Sequence, residues 1–149
     1  MDLLYDAVGL SVSHDAPNAS LLIEWRGTHD GPAKQACCLT VLELVRQTGA
    51  TKGLVDGTQD LDGWNEAVQW LGHVHQQALI AQGVRVIAWV LPKNLVARRH
   101  VENMVDLFIH PTVQPPHRML YNTFDDVEAA YSWLIYRTVP ADIPYEVAP

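Results

Sequence analysis

The sequence predicts one α/β domain: an N-terminal β-hairpin followed by helix and strand in alternation, folded as a mixed sheet with helices packed on it. Three observations predict it. Apolar stretches of helical period alternate with short β-prone runs, the pattern of parallel crossovers. The run Val84–Leu91 is apolar at nearly every position, as a strand buried on both faces reads. The chain has 149 residues, 48% of them apolar. That length suits one domain and a self-sufficient core.

In chain order, Val8, Leu10 and Val12 alternate with Gly9, Ser11 and Ser13, the period of a half-buried strand. The cluster His14-Asp15-Ala16-Pro17-Asn18 turns the chain, and Ser20–Trp25 returns as the hairpin's second strand. Asp30 is placed as an N-cap and Pro32 lies in the first turn of a helix that runs to Thr48. Its core stripe is read as Ala33, Ala36, Cys37, Thr40, Val41 and Leu44, with Cys38 off it and Gly49 as the stop. A strand over Lys52–Asp56 leads into a polar loop, Gly57–Gly63, with Asp62 as the N-cap of a second helix ending near Gln82. After Val84–Leu91, a third helix spans Leu95–Met104, while Asp106–Ile109 is of undetermined type. Arg118–Phe124 reads as a strand. Asp125 or Asp126 caps a last helix ending near Arg137, with Glu128 suggesting a capping box. The domain therefore covers residues 1–138, and 139–149 reads as a proline-containing, extended or mobile tail.

Charge and composition narrow the function. Ten basic against seventeen acidic side chains give −7 at pH 7. Nucleic-acid binding is not expected, because a basic stripe is its usual footprint. No apolar stretch is long enough to cross a bilayer and no signal peptide is evident, so no membrane association and a cytoplasmic location are expected. The adjacent Cys37 and Cys38 offer neither a staple nor a CxxC pair. Charged residues make up 18%, against about 25% in ordinary domains. An apolar surface patch is the expected consequence.

Motifs of known chemistry are missing. His73 and His75 are two apart on a helix and diverge, whereas metal-binding helical pairs stand three or four apart. There is no GxSxG elbow, and Gly27–Gly31 lacks the Lys-Ser/Thr ending of a phosphate loop. No catalytic set, metal or cofactor is predicted. The candidate ligand site is the crevice beyond the carboxyl ends of the parallel strands. There Asp56, Thr58, Asp60 and Lys93 are expected to face one another. The plainer reading of Asp56 is an acceptor for its own turn.

On the second helix, counted from Trp64, the residues Ala67, Val68, Leu71, Val74, Ala78 and Leu79 form the stripe toward the sheet, with His75 beside them. Trp70, His73 and Ile80 fall on other faces and are the candidate interface, since tryptophan is enriched among interface anchors. Either another helix of this chain covers them, or a protein partner does, most simply a second copy.

Several strings resemble a family of small bacterial proteins with the STAS-like fold, that of anti-sigma-factor antagonists. They are Trp25-Arg26-Gly27, Leu54-Val55-Asp56, Trp64, the Gly83–Pro92 strand, and Phe124–Ala130 with Trp133-Leu134. Together they reach from about residue 20 to 134. The resemblance implies a regulatory, protein-interaction domain and not a known enzyme. Antagonists of this type are switched by phosphorylation of a Ser or Thr just after the strand-end Asp. Here Gly57 holds that place and Thr58 comes one later. The expectation is a non-enzymatic, self-associating interaction domain. The alternative is a small-molecule (apolar-ligand) binding domain or enzyme at the crevice near Asp56 and Lys93.

Overall fold

The computed structural model describes residues 1–65, 67–109 and 119–139; the side chains of 107–109 lie outside that description. Six strands form one mixed sheet in sequence order: β1 (Asp2–Asp6), β2 (Leu10–Asp15), β3 (Ser20–Gly27), β4 (Lys52–Asp60), β5 (Val86–Val90) and β6 (Leu120–Phe124). The pairs β1/β2 and β2/β3 are antiparallel, and β3 through β6 are parallel. Helices α1 (Gly31–Thr48), α2 (Gln69–Ala81) and α3 (Leu95–Ile109) make the three crossovers, and α4 (Val127–Ile135) follows β6.

The topology decides the layers. Each crossover steps one strand in the same direction, and crossovers share one hand, so α1, α2 and α3 fall on a single face. The cores agree. On that face Val12, Leu21, Ile23, Ile87 and Trp89 pack with Val41, Leu79 and Val101 of the helices. On the other, Leu54, Val86, Ala88 and Val90 pack under Ala130 and Leu134 of α4. Alternate residues of β5 thus enter opposite cores, which is why that strand carries no polar side chain.

The ends are set by local chemistry. Asp30 Oδ1 accepts the Ala33 N–H at 2.9 Å at the start of α1. Gly49, at φ 68°, closes that helix as a left-handed cap. Asp126, not Asp125, caps α4 by accepting the Ala129 N–H at 2.9 Å, so Glu128 is one place short of the capping-box position. The Lys52 ammonium, buried on the α4 side, donates to the Leu134 carbonyl at 3.1 Å and caps the helix's carboxyl end.

Several expectations need correction. The N-terminal unit has three strands, with Val8 fully out in the turn between β1 and β2. The alternation through Val8 belongs to that turn. β4 runs on to Asp60, since Arg26 and Gly27 of β3 still pair with Gln59 and Asp60. α2 begins at Gln69, not after Asp62, because the Asp62 carboxylate is engaged elsewhere and Trp64 lies in a loop. The later start comes with a rotated buried face: Leu71, Gly72, Gln76, Leu79 and Ile80 point inward, and Val74 is exposed. On α1, Cys38 is buried and Cys37 only partly so, reversing the expected order, and Lys34 is buried as well. Residues 106–109 are helical. Arg118 and residues 140–149 of the expected tail lie outside the described residues.

Candidate functional site

Between the helix-side face of the sheet and α2 lies a cavity of about 50 Å³. Its walls follow from strand alternation. Trp25, Val55, Ile87 and Trp89 all point to the helix side, and Tyr121 joins them from β6. Gly72 lets α2 close over them: a Cβ there would sit 2.6 Å from Met104 Sδ and 3.3 Å from the Trp64 ring. Trp64 reaches in from the loop after β4 and meets Trp25 edge-on, ring centres 5.8 Å apart at 73°. His75 and Gln76 are the polar groups that α2 contributes. The Gln76 amide donates to Met119 Sδ at 3.3 Å, a weak acceptor. No described residue hydrogen-bonds the His75 ring, and burial lowers its pKa to about 4, so it is neutral at pH 7.

A buried polar cluster sits beside this cavity at the carboxyl ends of β3 and β4. The Lys34 ammonium donates to the His29 carbonyl at 2.9 Å and to Asp62 Oδ1 at 3.1 Å, and lies 5.8 Å from the Trp64 ring centre. The His29 N–H donates to the other Asp62 oxygen at 2.9 Å. The His29 ring meets Trp25 edge-on at 5.1 Å. Burial pushes the Asp62 pKa up, but the His29 N–H and the Lys34 ammonium outweigh it and hold the carboxyl below its ordinary range. Burial raises Asp60, even though its carboxylate accepts the Asp62 and Gly63 N–H groups at 3.2 and 3.0 Å. The sequence does not point to Lys34, and it offers Asp62 only as an N-cap. A lysine four places after an N-cap Asp reads as solvated, and only the fold brings it against Asp62.

The residues expected at the crevice are only partly brought together. Asp56 Oδ1 accepts both the N–H and the hydroxyl of Thr58, at 3.0 and 2.8 Å, as the plainer reading of Asp56 anticipates. Lys93 meets Thr58 through its backbone N–H, at 3.3 Å to the carbonyl, while its side chain is exposed. Asp60 is turned into its own loop. Of the expected interface, Trp70 is 61% exposed and His73 is exposed, but Ile80 is 5% exposed and belongs to the interior. Ile80 followed from a stripe counted through Trp64, which the helix does not contain.

The site offers no ready nucleophile from cysteine. Burial raises the Cys37 thiol, and burial with the neighbouring Cys37 pushes Cys38 up to about 12. Among the described residues there is no group of three or more His, Cys, Asp or Glu placed to hold a metal ion, and no helix is long and apolar enough to cross a membrane. In comparison with known proteins, no family model, curated protein or solved structure matches the chain.

Proposed function

We propose that this chain is a non-enzymatic interaction domain of STAS-like type that self-associates through the end of the sheet where the parallel strands finish. One observation carries the reading: Leu61, Trp70, Leu95 and Val96 are each more than half exposed, and all belong to segments that leave the sheet at that end. Leu61 follows β4, Trp70 lies in the first turn of α2, and Leu95 and Val96 open α3. The segments are tied together, since Gly63 is packed so closely on Ala97 that a Cβ would lie 2.5 Å from its carbonyl oxygen. Val74 extends the apolar surface one turn along α2. Scattered exposed leucines need no explanation, but several exposed apolar side chains on segments leaving the same end of the sheet suit a contact.

A second copy is the occupant that the reading names. A two-fold contact places the same patch on itself, so it closes without exposing another surface. Multi-angle light scattering tests it: the wild type should give twice 16.6 kDa at tens of micromolar, and Trp70→Glu with Val74→Glu should give the monomer mass. A wild type that stays monomeric overturns self-association.

A further inference from the structure

We infer that the cavity beneath α2 is a binding site for a small neutral molecule carrying one hydroxyl or carbonyl group, anchored on His75 and packed against Trp25, Trp64 and Trp89. The site is distinct from the surface named above, so the two readings stand or fall separately.

Size, lining and polarity lead to that class. An apolar cavity of about 150 Å³ holds benzene. At about 50 Å³ this one takes roughly two to four non-hydrogen atoms. Three indole faces and the Met104 thioether supply an apolar wall. The largely buried His75 imidazole, which α2 places in the lining, makes no hydrogen bond to a described residue, so its donor and acceptor are open to a ligand. A hydroxyl or carbonyl on the ligand completes it: a neutral imidazole carries one donor and one acceptor. A carboxylate would have to shed its water beside a neutral ring, with the Lys34 ammonium already held by Asp62 and the His29 carbonyl. The remaining polar groups facing the space, the Gln76 amide and the Tyr121 hydroxyl, carry no charge at neutral pH; burial raises the tyrosine further.

The chain supplies its own controls, because it has five tryptophans. Trp25, Trp64 and Trp89 line the cavity; Trp70 is on the surface and Trp133 belongs to α4, on the opposite face. In ¹⁵N-resolved spectra of the indole N–H groups, titration with 2-propanol should shift the three cavity signals with saturation in the millimolar range, as expected of so few atoms. The signals of Trp70 and Trp133 should not move. Acetate, with the same number of non-hydrogen atoms, should leave all five in place. His75→Leu should weaken 2-propanol binding about tenfold or more while keeping the native spectrum. Val55→Ile, which fills space without touching polar groups, should weaken it too. The proposal is overturned if 2-propanol shifts no cavity indole with saturation, or if acetate binds equally well. It is also overturned if His75→Leu binds 2-propanol as tightly as the wild type, or if only xenon enters, which would mark a mere void.

Discussion

Lys34 Nζ lies 3.1 Å from Asp62 Oδ1, so one ammonium in the first turn of α1 holds the loop that carries Trp64 into the core. The lysine side chain is 4% exposed and the aspartate 28%. Removing one partner of a buried pair leaves the other without compensation, at about 3–5 kcal/mol when both are fully buried. Because Asp62 keeps some water and the His29 N–H, Lys34→Met should cost less, about 2 kcal/mol in urea unfolding. Asp62→Asn in the same background should restore part of that. A loss under about 0.5 kcal/mol for Lys34→Met would show the pair to be incidental.

His75 sets a pH dependence with a definite sign. Burial lowers its pKa from 6.5 to about 4 in the folded chain. Between those values the unfolded chain binds the proton and the folded chain resists it, so stability is full above pH 6.5 and falls as the pH drops toward 4. The gap bounds the loss at roughly 3 kcal/mol. Urea midpoints measured from pH 7 to 4.5 should decline for the wild type and decline clearly less for His75→Leu. Equal slopes would contradict the burial of this ring. Asp62 acts lower: its stabilisation is present above the ordinary carboxylate range and is lost as pH falls through its lowered pKa.

The pattern of the chain made the fold class legible, because period and punctuation are local properties. The continuous run of β5, Asp30 before α1 and Gly49 after it can all be read without tertiary information. What could not be read depends on contacts between distant residues. The start of α2 is one case: Asp62 looks like a helix cap until Lys34 and the His29 N–H claim both its oxygens. The face of α2 is another, since an error of a few residues in the start turns the expected stripe away from the core. The cavity is a third case. Its lining draws on β3, β4, β5, β6, all three crossover helices and a loop, and no window of sequence contains it. Asp56 was legible in its plainer role, because an Asp two residues before a Thr makes its bonds locally.

The corrected face of α2 separates two variants that sequence alone would group together. Ile80 is in the core, so Ile80→Asp buries a carboxylate without a partner and should cost at least about 3 kcal/mol, lowering the unfolding midpoint sharply. Trp70 is on the surface, so Trp70→Glu should change stability by less than about 0.5 kcal/mol when both proteins are dilute enough to be monomeric. Thermal unfolding of both decides it. Similar losses would mean that Trp70 is packed within the chain, and the apolar end of the sheet would lose its anchor.

Gly63 permits the loop between β4 and α2 to close. Its φ of 62° is in the left-handed region, and a Cβ would meet the Ala97 carbonyl oxygen at 2.5 Å and its Cα at 3.0 Å. These are backbone atoms of α3, which cannot swing aside as a side chain does. Gly63→Ala should therefore combine about 1–2 kcal/mol of backbone strain with the cost of displacing α3 from the loop. The effect should reach Trp64, the next residue, so its indole signal should shift even in the absence of added ligand. Gly27 provides the comparison: φ is 74°, but nothing lies within 4 Å of its Cβ position. Gly27→Ala should show the strain alone and leave the Trp64 signal in place. If the two variants lose the same stability and leave Trp64 equally undisturbed, the loop does not rest on α3, and the roof of the cavity is held by Lys34 and Asp62 alone.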